Sequence, residues 1–265
     1  AGKLGLSADQ VKLVTGDSDL VPMGLTGGSR GMAVAGSALS VASDQVIEKG
    51  REIAGEMLEA AAADIEFSPS DGAFLIAGTD RRVGLFEVAK AARDKGDAAA
   101  LDTEYTHAPA AETFPNGCHI IEVEIDPETG VYAIERYTVV DDFGVTMNPL
   151  LLAGQVHGGI VQGLGQAMLE QVVYDADGQP LTGSFMDYGV PRADNVPFFD
   201  FETRNVPSTA NPLGVKGAGE AGAIGAPSAL MHALLDALHR HNGTRHLDMP
   251  ATPEKIWRAC QGMAT

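Results

Sequence analysis

The chain has 265 residues, 45% of them apolar and 20% charged, enough to bury one sizeable core or two small ones and too apolar for a disordered or fibrous protein. Lys and Arg number 18 against 36 Asp and Glu, and the resulting net charge of −18 repels phosphate backbones and anionic lipid surfaces, so neither a nucleic-acid nor a membrane partner is expected. The 2 cysteines, Cys118 and Cys260, are too few and too far apart for a disulfide framework, a zinc knuckle or an iron–sulfur cluster, which leaves a reduced, cytoplasmic setting as the expectation.

In chain order, residues 10–15 (QVKLVT) read as a strand, closed by the turn residues Gly16-Asp17-Ser18-Asp19 and Pro22. A glycine-rich loop at 24–31 leads into a long helix over about 32–62, where Leu39, Ala42, Val46, Ile53, Met57 and Leu58 recur at helical spacing and Gly50 suggests a bend. Residues 65–67 and 73–76 form a hairpin across Ser-Pro-Ser-Asp-Gly, and 85–93 a second helix. The stretch 96–115, rich in Ala, Thr and Pro, is a linker. Beyond it, 119–125 (HIIEVEI) alternates apolar and polar residues, turns at Asp126-Pro127-Glu128-Thr129-Gly130 and returns along 131–140. Asn148-Pro149 opens an apolar helix over 150–170 that carries Gly154, Gly158, Gly159, Gly163 and Gly165; since each interior glycine costs a helix roughly 1 kcal/mol, something must approach its backbone closely. A third hairpin (171–181) and a proline-rich loop precede a last helix, expected from Ala226-Pro227 to Leu238 and stopped at Asn242-Gly243. The fold class is α+β, with one subdomain over 1–110 and a second over 116–265.

The first residues are neither a charged-then-apolar leader nor Met-initiated, and they run straight into the strand-like segment, so the chain is expected to be a piece of something larger. Abundant glycine (32 residues) with only 6% aromatics favours a protein whose backbone approaches a ligand. Three segments fit that description. In 214–222, one carboxylate, Glu220, stands among Gly214, Gly217, Gly219 and Gly222 just before a helix. Held there and partly desolvated it is a general base; exposed, it is a turn residue supporting a helix start. In 25–31, Ser29 and Arg30 with the following helical amides could bind an anion or merely cap the helix, and neither standard phosphate fingerprint is present. In 148–165, Gln155 and Gln162 lie on a glycine-rich apolar helix and need partners, either a heterocyclic ligand or neighbouring backbone. Asp141-Asp142 is a ligand pair or a strand end. No histidine arrangement suits a metal, and His239 and His241 suit the C-terminal end of a helix dipole.

Four ordered stretches carry a family resemblance: TGDSDLVPMGLTGGSR (15–30), VDDFGVTMNPLLLAGQVHGGIVQGLGQAM (140–168), MDYGVPRADNVP (186–197) and VPSTANPLGVKGAGEAGAIGAPSA (206–229). Together they resemble the carboxy-terminal half of the molybdenum-binding subunit of the xanthine dehydrogenase and aldehyde oxidase family, most of all its aerobic carbon-monoxide-dehydrogenase branch. The resemblance implies oxidative hydroxylation of a small aldehyde or N-heterocycle with water as the oxygen source, Glu220 being the general base toward a hydroxyl on molybdenum. It implies a molybdopterin, in its cytosine dinucleotide form, whose dithiolene rather than any side chain holds the metal. Gly27, Gly28, Ser29 and Arg30 would contact the pterin and the dinucleotide phosphates. Gln155 and Gln162 would lie along the pterin, Asp142 and Asn148 near the nucleotide, while Lys216, Gly217 and Gly219 frame the base. The family's other cofactor loop and much of its substrate pocket are not in this sequence. A companion chain with the amino-terminal half of the subunit, and 2Fe-2S and FAD partners, are therefore expected. The competing reading is a non-catalytic cofactor-handling or assembly module, against which the intact Glu220 and its glycines argue.

Overall fold

A computed structural model describes residues 1–19 and 27–263. The chain forms two compact units, each mixed α and β: one of residues 1–27, 31–110 and 211–213, the other of 28–30, 111–210 and 214–265. The division is thus not a single cut in the sequence, because Gly28–Arg30 belong with the second unit and Asn211–Leu213 with the first.

The first unit packs helices α1 (Ser37–Leu58) and α2 (Leu85–Asp94) on an antiparallel sheet of β1 (Ile65–Ser68), β2 (Ala73–Ile76) and β3 (Arg82–Gly84), in that order. Its core joins Ala54, Leu58, Ile65, Phe74, Val83, Leu85 and Val88. One π-helical turn, Met32–Gly36, precedes α1. The helix runs on through Gly50, where the missing side chain makes room for the Phe74 ring. The strand expected over 10–15 does not form: Val11, Leu13 and Val14 are exposed, and without a neighbouring strand their backbone groups have no ladder to join. Pro22 and residues 24–26 of the glycine-rich loop lie outside the described residues.

The second unit is built on the hairpin of β4 (Asn116–Ile125) and β5 (Tyr132–Asp142), with β6 (Phe199–Thr203) parallel to β5 on its other edge. Helix α3 (Pro149–Met168) carries the chain between the two parallel strands. Helices α3 and α4 (Ala221–Asn242) pack on each other, and α4 also packs on β4. A short amphipathic α5 (Pro253–Cys260) completes the core with Ile256, Ala259 and Cys260.

Three expectations are corrected here. The hairpin over 171–181 is only a turn with one isolated bridge, Tyr174 to Pro180. Strands β3 and β6 and helix α5 were not anticipated; their three to eight residues are too short for periodicity to mark them. Helix α4 starts at Ala221, five residues before the position assigned from Pro227, which lies inside the helix. The carbonyl that a proline leaves without its helical N–H, that of Ala223, faces Gly163 of α3; a methyl there would be 3.0 Å from that oxygen. By length and composition α4 could cross a membrane, but its Leu230, Leu234 and Leu238 are buried in the core of this unit.

The glycines of α3 divide by face. Methyl groups on Gly159 and Gly163 would press on Ala223 N and Pro227 Cδ, at 3.1 and 2.8 Å, so α4 is the element that approaches the α3 backbone there. Gly222 of α4 fits so closely over Val156 and Ile160 that a methyl would overlap their backbone. Gly154 and Gly158 meet nothing within 4 Å. Gly222→Ala is expected to destabilise the chain by about 1–3 kcal/mol, as overpacking does. Gly158→Ala should stabilise it by up to about 1 kcal/mol. Urea unfolding midpoints check both; equal effects would contradict the division by face.

Candidate functional site

The segment 214–220 reaches α4 as an irregular stretch tied to the residues just after β5. Val145 N–H donates to the Gly214 carbonyl (2.9 Å) and Lys216 N–H to the Phe143 carbonyl (2.9 Å), around the bridge between Gly144 and Val215. Asp142 locks this junction. Its Oδ1 accepts from Gly144 N–H and Val206 N–H, both at 2.9 Å, and its Oδ2 is paired with Lys216 Nζ. Both side chains are largely buried, 12% exposed for Lys216 and 15% for Asp142. Burial pushes the Asp142 carboxyl up, but the Lys216 hydrogen bond, the two N–H donors and the lysine charge outweigh it and hold it below the ordinary carboxylate value. Asn205, which sequence reasoning did not single out, reinforces the junction by accepting from Phe143 N–H and donating to Thr146 Oγ1.

On this frame three separated segments meet at Gly217-Ala218-Gly219. Gly28 and Ser29 are both left-handed (φ 60° and 54°), the pattern of a type I′ turn, and non-glycine residues take that conformation only at some cost. The turn seats Ser29 where side chains at 217 and 219 would stand: a methyl on Gly217 would be 2.6 Å from the Ser29 carbonyl oxygen, and one on Gly219 2.6 Å from its Oγ. From α3, Gln155 Nε2 donates to the Gly219 carbonyl at 2.7 Å. The next residue is Glu220, the N-cap of α4. Its side chain is exposed and has no hydrogen bond or ion pair among the described residues. The desolvation expected around this carboxylate is therefore not supplied by side chains of the described residues.

The other candidates fall into place around this junction. Gln162 is exposed on the face of α3 that carries Gln155, two turns further on. Asn148 caps α3, its Oδ1 accepting from Leu151 N–H at 3.1 Å, which gives it a structural task. Lys216, expected to frame the base, is paired with Asp142. Arg30 is half-buried, with no ion pair among the described residues. Gly27 precedes the turn. No group of three or more metal-ligating side chains occurs among the described residues. A cavity of about 640 Å³ bordered by Leu169, Phe185, Met186 and Arg192 lies apart from all of these candidates.

The junction has an acid limit. Because Asp142 titrates lower folded than free, its contribution to stability is present above the ordinary value of 3.8 and is lost as pH falls through the depressed folded value. Lys216→Met should lower stability at neutral pH by about 1–3 kcal/mol, by leaving a largely buried carboxylate without its cation. It should also weaken this acid-limb dependence, which denaturant titrations at several pH values would reveal.

Comparison with known proteins gives the chain's family. Residues 1–197 match the molybdopterin cofactor-binding domain family. The chain is 38% identical to the 6-hydroxypseudooxynicotine dehydrogenase complex subunit gamma of Paenarthrobacter nicotinovorans, covering 99% of this chain and 34% of that protein. It is 33% identical to the carbon monoxide dehydrogenase large chain of Hydrogenophaga pseudoflava, covering 98% of this chain and 32% of that one. Its fold superposes on a crystal structure of the Cu,Mo-CO dehydrogenase with a TM-score of 0.89 at 31% identity, over 98% of this chain and 33% of that chain. The chain spans about a third of the length of these relatives. It belongs to the molybdopterin cofactor-binding family of molybdenum subunits that includes the carbon monoxide dehydrogenase large chains and the xanthine dehydrogenases.

Proposed function

We propose that this chain is part of a molybdenum hydroxylase that oxidatively hydroxylates a small aldehyde or N-heterocycle with water as the source of oxygen, and that Glu220 is its general base. The observation that carries the reading is the hydrogen bond from Gln155 to the Gly219 carbonyl, which ties the open face of α3 to the residue before Glu220. Ser29, seated on Gly217 and Gly219, adds the third segment to the same place.

The residues fit a molybdopterin. Gly154 and Gly158 leave the α3 backbone bare on the face that carries Gln155 and Gln162, as a flat heterocycle lying against it requires. Gln155 and Gln162 would lie along the pterin. Ser29 and Arg30, with Gly27 and Gly28 before them, would hold phosphates, a role for which the guanidinium is suited. Asp142 and Asn148, at the nucleotide end in the cytosine dinucleotide form, would act mainly by fixing the loops they already bond. When bound, the group supplies a molybdenum centre able to activate water-derived oxygen and take up electrons from the substrate.

The protein's own contribution is to orient and to move a proton. Glu220 follows a backbone anchored at Lys216 and Gly219, so its carboxylate has a defined origin, and it is not committed to any cation. A base of this kind needs reach and a dry setting more than a charged partner. We assign the drying to the remainder of the molybdenum subunit, supplied by a companion polypeptide or segment, with 2Fe-2S and FAD groups on partner chains. The relatives' descriptions as a complex subunit and a large chain support that division. Glu220→Gln should leave molybdenum and pterin content unchanged yet lower turnover by about 10²-fold or more, the scale of a lost general base. Full activity in a variant with normal metal content overturns the assignment.

A further inference from the structure

Inside the second unit, apart from the residues discussed so far, lies a chain of three buried polar side chains. Tyr137 is fully buried, and its hydroxyl stands 2.6 Å from His119 Nδ1. His119 Nε2 stands 3.8 Å from Asp141 Oδ1. Asp141 is only 3% exposed, and its Oδ2 has no hydrogen-bond partner in the protein. Two glycines make space for the set. Gly117 lies directly across from Asp141 in the β4–β5 register, and a methyl there would overlap the carboxylate. A methyl on Gly225 of α4 would come within 2.7 Å of the His119 ring.

Asp141, His119 and Gly117 border a cavity of about 110 Å³, whose other walls include Ala221, Ile224 and Gly225 in the first turns of α4. Such a space takes a few water molecules at about 30 Å³ each. A buried oxygen without a partner is the group such water would serve. The Tyr137 hydroxyl and His119 Nδ1 share one hydrogen bond whose donor is set by the imidazole tautomer, while Nε2 faces the Asp141 side. Burial lowers the His119 pKa and keeps the ring neutral near pH 7, raises the Tyr137 hydroxyl, and pushes Asp141 up to about 6. The remaining charged groups nearby are otherwise engaged or point elsewhere. Asp142 is paired with Lys216, Arg204 beyond the β6 partner Thr203 is exposed and paired with Glu202, and α4 presents no titratable side chain among the cavity walls. Glu220 immediately precedes Ala221.

We propose that Tyr137, His119 and Asp141 form a buried proton-holding site behind the start of α4, and that water in the cavity passes protons between Glu220 and Asp141. The proton accepted by Glu220 moves to a cavity water as that water gives one to the Asp141 carboxylate. Glu220 returns to its ionised form, Asp141 becomes the neutral acid, and the proton later leaves Asp141 for solvent. Asp141 thus resets the base between turnovers, while His119, hydrogen-bonded to Tyr137, lies beside it. The inference rests on the reading of Glu220 as the base.

Two measurements on the holoenzyme containing this chain test it. Infrared difference spectra of wild type and Asp141→Asn follow the carbonyl band of a protonated carboxylic acid. The band should be present below about pH 6, disappear above it, and be missing from the variant. Turnover as a function of pH should rise in wild type as Asp141 ionises. In Asp141→Asn it should fall by about tenfold and lose that limb while KM and molybdenum content stay the same. Tyr137→Phe, which removes the hydroxyl bonded to His119, should shift the limb without removing it. Asp141 ionised throughout the acid-to-neutral range, or a wild-type pH profile in Asp141→Asn, overturns the proposal. Normal turnover in Glu220→Gln would instead remove the base from which the proton comes, a failure recognisable because the infrared titration of Asp141 would persist.

Discussion

The arrangement of the second unit depends on one steric fact: residues 217 and 219 have no side chains. Ser29 occupies the volume their Cβ atoms would need, at 2.6 Å from each position, and Gln155 reaches the carbonyl of Gly219 because that segment lies close to α3. Larger residues there would push the Ser29 turn away and with it Arg30. They would also shift the origin of α4, since Glu220 follows at once. The left-handed conformation of Ser29 is unfavourable for a residue with a Cβ, and it persists because the contact on both glycines over-determines it. Strain held by packing near a chemically unpaired carboxylate is a pattern found at functional sites, and here the strained Ser29 packs on Gly219, the residue before Glu220.

A second consequence comes from the strict alternation of a β-strand. Asp141 and Asp142 are adjacent at the end of β5, so their side chains point to opposite faces. One face offers Lys216 and two backbone N–H donors, and the carboxyl there is held low. The other offers a buried histidine and the wall of a small cavity, and the carboxyl there is pushed up. Two identical side chains thus acquire opposite tendencies, one to stay charged as a brace and one to exchange a proton, through environment alone. The brace also fixes the segment that carries the lone carboxylate at 220, so the two aspartates serve the same region by different physics.

Much of this was readable in the sequence. Long periodic elements such as α1, α3 and the β4–β5 hairpin follow from their apolar spacing. The glycine-rich segments that meet at Gly217 and Gly219 stand out by composition. What spacing could not supply was partnership. The apolar alternation at 10–15 has no neighbouring strand to pair with, while β6 pairs in parallel with a strand some 60 positions earlier, from Tyr137↔Phe199 to Asp141↔Thr203. Pro227 suggested a helix start because a missing N–H is harmless in a first turn, yet it is accommodated inside α4 through the close approach of Gly163. The buried trio had a signal that went unused. His119 shares the inward phase of Ile121, Val123 and Ile125, and Asp141 that of Tyr137 and Val139, so the alternation that predicts the hairpin also directs an imidazole and a carboxylate into its core.

The glycines of α3 finally separate what the fold needs from what it does not. Gly159 and Gly163 are needed, because α4 lies against them. Gly154 and Gly158 bring no such contact, and each still weakens the helix by roughly 1 kcal/mol relative to alanine. Folding alone favours a side chain at both. They share the exposed side of α3 with Gln155 and Gln162, polar residues whose amides do not contribute to the core, and with the end of the segment that leads to Glu220. On the proposed reading, a surface that omits side chains where packing would accept them, and keeps amide groups beside the gap, would receive a flat polar body such as a pterin against the backbone itself.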